Sequence, residues 1–394
     1  MFDCFTDVNF KNCFKMVNFE QCKLYLMSFE HFYTANPFFT NRYISPEKLF
    51  NYLQENYSNK IEVIGESSEG RPIYKLNLGT GSIQVIAWSQ MHGNESNATH
   101  AMLDLLYTFE NTSFENNLFE KISLDFIFML NPDGSKNWTR LNSLEIDLNR
   151  DFHNESSKEI KFLKNRVASK KYDYALNLHE QRTIFTTDGV HPATLSFLAP
   201  SENIERTITE NRKKCMAVIA SVYTQLKNLI PNHIGRYSDE FYPTSTGDNF
   251  IKSGLPTILF EGGHFIDDYK REKTRKYYTL ALFLALDAIS DLKGTTEGWE
   301  VYQEIPENLE THYDVIYRNV KLNTDHDCVL DVGVQYKEIY EQGNDEISFI
   351  PYVVAVGDVK GKKGWKEIDC TGKKFVSETK YPKLDEMVQF KIED

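Results

Sequence analysis

The sequence predicts an α/β protein, a mixed, mostly parallel twisted sheet covered by helices, followed by a small C-terminal β-rich domain. Two observations carry this. Between about residues 45 and 292, short apolar runs alternate with longer amphipathic stretches, the pattern of strands joined by helical crossovers. After about Thr295 the text becomes short β-like pieces separated by Gly, Asp, Asn and Lys. In order, Ser45-Pro46-Glu47 opens a helix to about Tyr57, with a capping serine and a first-turn proline. Ile61–Ile64, Ile73–Leu78 and Ile83–Trp88 have the look of strands. A helix from Ala98 to Tyr107, a strand from Ile122 to Leu130 and a helix from Lys158 to Ala168 follow. Next come the strand Tyr174–Leu178, a helical stretch from Ile204 to Leu229, the strand Pro256–Phe260 and a helix from Thr274 to Leu292. Val315–Leu322, Cys328–Val334, Ile347–Val356 and Phe375-Val376 supply the β-rich domain, and Gly357–Gly364 reads as a charged turn. The expected division is an extension over residues 1–26, expected to be disordered, a catalytic domain over 27–292 and the β-rich domain over 297–394.

Composition excludes several classes. Of 394 residues, 44 are Lys or Arg and 57 Asp or Glu, a net charge of −13. That argues against nucleic acid or an anionic membrane surface as partner, since both select a basic footprint. No apolar run reaches the roughly 18 residues of a membrane span, and the stretch Leu280–Ala288 is broken by Asp287. The N-terminus carries Asp3, Asp7, Lys11, Lys15 and Glu20 among its aromatics, unlike a secretory signal. The six cysteines form no C-x-x-C pair, so free thiols and a cytoplasmic location are expected. Cys4 to Phe10 is echoed by Cys13 to Phe19, a short duplication to which no chemistry is assigned.

Four predicted strands end in polar clusters: Gln90-Met91-His92-Gly93-Asn94-Glu95, Asn131-Pro132-Asp133-Gly134, His179-Glu180-Gln181-Arg182 and Glu261-Gly262-Gly263-His264. Open α/β sheets bind ligands beyond the carboxyl ends of their strands, so the four clusters point to one shared site. Its residue types suit catalytic zinc, which takes three His or carboxylate ligands and keeps one position open. His92, Glu95 and His179 are the candidate ligands, Glu261 the candidate general base, and His264 a candidate hydrogen-bonding neighbour of that base.

The segments His92-Gly93-Asn94-Glu95, Asn131-Pro132-Asp133-Gly134, Asp147-Leu148-Asn149-Arg150-Asp151-Phe152, Leu178-His179 and Leu259-Phe260-Glu261-Gly262 occur in this order. Together they resemble the M14 zinc carboxypeptidases, over roughly residues 45 to 290. The resemblance implies a carboxypeptidase-like fold, one zinc ion per chain on His92, Glu95 and His179, and a peptide substrate with a free C-terminal carboxylate. It further implies that Glu261 is the base and that Arg140 steadies the oxyanion. Asn149 and Arg150 would grip the terminal carboxylate, and Asp147 would orient a zinc-bound histidine. Two positions depart from the family pattern. The mobile tyrosine has no clean match, with Tyr242 preferred over Tyr237. In the side-chain pocket Asp248 would favour a basic terminal residue, unless it only caps a turn. Two alternatives accompany this reading. H-G-N-E with D-L-N-R is also similar to the aspartoacylase and succinylglutamate desuccinylase branch, deacylases of small N-acyl amino acids with a C-terminal β-rich domain. A catalytically dead binding protein would show a lost ligand or base, whereas every expected group is present.

Overall fold

The computed structural model describes residues 28–114, 116–322 and 328–394. The expected extension over 1–26, with Cys4, Cys13 and Cys22, lies outside the described residues. Eight strands form the main sheet: β1 (Ile61–Glu66), β2 (Pro72–Leu78), β3 (Ile83–Trp88), β4 (Ile122–Phe128), β5 (Tyr174–Glu180), β7 (Leu195–Leu198), β8 (Ile234–Arg236) and β9 (Thr257–Gly262). Their order is β1-β2-β4-β3-β5-β9-β7-β8. The centre, β4-β3-β5-β9, is parallel, and antiparallel pairing joins β1, β2 and β7 to it. The sheet is therefore mixed with a parallel core. Central strands are covered on both faces, so they read as unbroken apolar runs. The pleat sends Val85 and Ala87 of β3 to one core and Ile86 and Trp88 to the other.

The first core holds α1 (Pro46–Tyr57), α2 (Asn97–Asn111), α3 (Leu118–Lys121), α6 (Glu210–Leu226) and α8 (Glu272–Leu292). The second receives side chains from α5 (Lys158–Ser169) and α7 (Thr246–Lys252). The short α4 (Pro132–Asn137) sits at the carboxyl end of β4. Ser45 caps α1 by accepting the Lys48 amide, with Pro46 in the first turn. The helix expected from Ile204 starts only at Glu210. Thr209 caps it by accepting the Arg212 amide, and Arg206 just before it has a left-handed backbone.

In the C-terminal region β11 (His312–Lys321), β12 (Val329–Tyr340), β13 (Ile347–Gly357) and β14 (Lys363–Asp369) form a sheet ordered β13-β12-β11-β14. β15 (Lys374–Ser377) pairs with β16 (Phe390–Glu393). Val315, Val332, Val353, Phe375 and Phe390 give this region its own core. It also touches the main body. β10 (Leu309–Glu310) pairs with β6 (Phe185–Thr186), and Tyr340 stacks on Tyr43 with ring centroids 4.1 Å apart. Among the described residues, no helix is long and apolar enough to cross a membrane.

Candidate active site

The site is built at the carboxyl ends of the central strands. β3 leaves the sheet through Gln90, whose left-handed φ of 47° turns the chain sharply. Gln90 then donates to the Gly93 carbonyl and the Ser135 hydroxyl, fixing the turn that carries His92 and Glu95. The turn after β4 packs against it. Asn131 caps α4 by accepting the Gly134 amide, and a Cβ placed on Gly93 would lie 2.0 Å from the Gly134 carbonyl carbon. Gly93 is there because the two backbones touch, whereas a Cβ on Gly134 would meet the Asn131 side chain and the Leu141 carbonyl, each at 2.5 Å. Parallel register pairs His179 of β5 with Glu261 of β9, so both side chains leave the same face at the same level.

His92, Glu95 and His179 converge, each offering a ligand atom within 4.8 Å of the others. Their rings and carboxylate are nearly fully buried. His92 Nδ1 lies 2.8 Å from Glu95 Oε1, and His179 Nδ1 lies 2.9 Å from Glu95 Oε2. His92 Nε2 donates to Asp147 Oδ1 at 3.1 Å, which turns the Nδ1 lone pair inward. Burial pulls the His92 imidazole down, but Glu95 and Asp147 outweigh it and hold it above the ordinary range. His179 is lowered by burial. Burial raises the Glu95 carboxyl, yet the two imidazoles bring it well below the usual carboxylate range. Glu261 has no such partners: burial and the Glu95 charge push it well up, and its Oε2 makes no hydrogen bond.

This set fits a divalent metal. The two Nδ1 atoms face one another at 3.2 Å, an arrangement in which two lone pairs suit one cation. A cation there would also offset two buried carboxylates in a single site. Two histidines and a glutamate are donors of the zinc hydrolase type.

The other expected residues surround a cleft of about 400 Å³. Arg140 reaches His92 Nδ1 at 3.1 Å and Asp147 Oδ2 at 3.1 Å, so it stands beside the ligand set. Asp147 accepts the Asn149 amide, starting the 3₁₀ turn Leu148–Arg150. Asn149 and Arg150 line the cleft, with the Arg150 guanidinium 5.7 Å from the Tyr242 ring centroid. Tyr242 is half exposed at the rim. Tyr237, the other tyrosine considered, lies deeper and donates to Gln181 Oε1 at 2.9 Å. Asp248 also lines the cleft, but one oxygen accepts the Tyr242 amide at 3.0 Å, so it caps the turn. His264 is turned away from Glu261. Its Nε2 lies 3.2 Å from Arg271 Nη2 and 3.4 Å from the Arg182 carbonyl, in a different cavity. After Gly262 the chain leaves the sheet, with the Gly263 amide bonded to Thr194, and a spacing of three no longer keeps residues on one face.

The sequence placed Gln181 and Arg182 in a site cluster without an individual role and assigned nothing to Thr183 and Phe185, yet all four line the cleft. Their signal was position, since they directly follow His179.

A parallel-centred α/β sheet brings two histidines and a glutamate together at its carboxyl edge, donors of the kind that hold a divalent metal in hydrolases. Residues 47–183 match the zinc carboxypeptidase (M14) family model. Family members bind zinc. No curated protein matches the chain. Solved structures share its fold. A metallo-carboxypeptidase from Burkholderia cenocepacia superposes with a TM-score of 0.50 at 15% identity, covering 64% of this chain and 70% of that one. Carboxypeptidase A from Helicoverpa armigera gives 0.52 at 15% identity, covering 69% and 80%. Bovine thrombin-activatable fibrinolysis inhibitor, solved in complex with tick carboxypeptidase inhibitor, gives 0.50 at 17% identity, covering 64% and 98%.

Proposed function

We propose that this chain is a zinc-dependent metallocarboxypeptidase that hydrolyses the C-terminal peptide bond of peptides with a free terminal carboxylate. The observation that carries the reading is the shared cleft. It brings His92, Glu95 and His179 together with the unpartnered carboxylate of Glu261 and with Asn149 and Arg150. Zinc on the three ligands supplies the Lewis acidity that makes water a nucleophile near neutral pH. Glu261 takes the proton of the attacking water and returns it to the leaving amine. Arg140 donates to the oxygen on which negative charge develops. Asn149 and Arg150 hold the substrate carboxylate, where a guanidinium fork matches two oxygens, and so restrict cleavage to the last residue. Tyr242 covers that pole, and Asp248, which caps the turn at Tyr242, lines the cleft beside it. Asp147 keeps His92 in the tautomer that presents Nδ1. In the division that accompanies this reading, residues 27–292 form the catalytic domain and 297–394 the β-rich domain.

A second reading, deacylation of small N-acyl amino acids, draws on the C-terminal β-rich region. One experiment separates them: zinc-loaded protein with a mixed peptide library and N-acyl amino acids, products read by mass spectrometry, with and without chelator. Loss of single C-terminal residues that chelator abolishes is the expected result. Acyl release with peptides untouched moves the chain to the deacylase reading. Glu261→Gln should abolish turnover while zinc content stays at one per chain; undiminished turnover would refute its role as base.

A further inference from the structure

A second cavity, of about 380 Å³, lies between the carboxyl edge of the main sheet and the C-terminal sheet. Three guanidiniums meet in its wall. Arg42 pairs with Glu180 and with Glu338 of β12. Arg182 pairs with the same Glu338, and Arg271 lies 3.6 Å from Glu180. Two carboxylates therefore serve three cations. A further acid in the wall, Asp314, is taken by the Tyr269 hydroxyl at 2.6 Å and the Tyr336 amide at 2.8 Å.

Arg271, which is 1% exposed, has the weakest pairing of the three, its Nε standing 3.6 Å from Glu180 Oε1. Its Nη2 reaches the Gln181 carbonyl at 3.1 Å and His264, but Nε and Nη1 make no hydrogen bond. Burial and the neighbouring Arg42 charge bring its pKa down to about 10. His264 beside it is held well below its usual range by burial and by Arg271, so it adds no charge. A network that served only to join two parts of the chain would need no surplus cation. A buried guanidinium with free N–H groups is costly unless an anion meets it.

Arg182 and Thr183 line both this cavity and the cleft. Asn149 and Arg150 line the cleft alone. With the terminal carboxylate at Arg150 and the scissile bond at the metal ligands, the preceding residues leave past Arg182.

We propose that this cavity is a subsite for a carboxylate carried by the substrate on the N-terminal side of the scissile bond, reached past Arg182 and bound by Arg271. The proposal rests on the carboxypeptidase reading and makes acidic peptides the substrate class.

The test uses full-length, zinc-loaded protein and paired N-blocked peptides that differ only by Glu or Gln at the second or third residue from the C-terminus. The wild type should favour Glu by about tenfold or more in kcat/KM, the size of one charge-assisted hydrogen bond. Arg182→Gln, at a side chain 30% exposed, should bring that ratio close to one, and Arg182→Lys should restore part of it. In parallel, glutarate binding is measured by calorimetry in an Arg150→Gln background, which silences the terminal-carboxylate pole, with and without Arg271→Gln. Cleavage of both peptides at equal rates overturns the subsite and leaves the carboxypeptidase reading intact. If neither peptide is cleaved, that reading fails and glutarate decides. Binding lost on Arg271→Gln keeps the cavity as a site for a free dicarboxylate, and no binding overturns it.

Discussion

Glu338 holds the C-terminal sheet to the body that carries the cleft. Its carboxylate accepts from Arg42 and Arg182 and, at 3.2 Å, from Trp138 Nε1. Burial alone would raise this carboxyl, but Arg182 and Arg42 bring it down to about 2. Against an ordinary glutamate near 4.3, that shift of about two units corresponds to about 3 kcal/mol of stability at neutral pH. The side chain is 12% exposed, so solvent screening removes little of it. Mutational experience with broken buried pairs, about 3–5 kcal/mol, agrees. Glu338→Gln keeps the shape and removes the charge. Urea unfolding followed by tryptophan fluorescence should show a loss of about 3 kcal/mol at pH 7. Because the folded pKa is the lower one, the stabilisation is complete above about pH 4.3 and is lost as pH falls towards about 2. The difference between wild type and variant should therefore hold steady from pH 7 to about 4.5 and shrink below that. A cost under about 1 kcal/mol at pH 7, or a difference that grows as pH falls, would refute the assignment of Glu338 as a buried, paired charge.

Three further outcomes follow from the same structure. His179→Ala should lose bound metal after dialysis against a weak chelator, as read by metal analysis; a full zinc complement would sink that ligand assignment. Gly93→Ala drives a methyl group into the Gly134 backbone and should cost about 2–3 kcal/mol in thermal or urea unfolding, with metal affinity reduced because His92 and Glu95 ride on that turn. A change below about 0.5 kcal/mol would contradict the close approach. Asp287 on α8 is raised to about 7 by burial and by Asp291. Its proton is retained in the folded chain and lost from the unfolded one between about pH 4 and 7, so stability falls across that window. Asp287→Asn should gain about 2 kcal/mol at pH 8, after allowance for partial exposure, and almost nothing at pH 4; equal gains at both would refute the raised carboxyl.

The parallel centre of the sheet was legible because its strands are buried on both faces and their ends carry the polar clusters. The short strand β7 and the edge strand β8 beside it were missed, having only four and three residues. β14 was missed because an edge strand of Lys363-Gly364-Trp365-Lys366-Glu367 has little to bury. β12 runs past Val334 to Tyr340 through residues with one half-exposed face, which blurs its apolar signal. At the site, local motifs were readable, as His92 and Glu95 share one turn. The pairs that close the second cavity were not. Arg42 meets Glu338 across 296 positions, and single charges that far apart look like ordinary surface residues until the fold joins them. His264 shows the limit of spacing, since three residues past Glu261 means nearness only while the strand continues.

The pairing of Phe185–Thr186 with Leu309–Glu310 has a consequence for the order of events during synthesis. His92, Glu95, His179 and Glu261 are all translated before residue 262, but this rim of the cleft waits for a partner made later, and Arg182 waits for Glu338. At about 5–20 residues per second the gap between Glu261 and Glu338 is on the order of ten seconds of translation. During that interval the nascent chain holds all four of these residues beside an unfinished cleft wall, until the C-terminal sheet has emerged and docked.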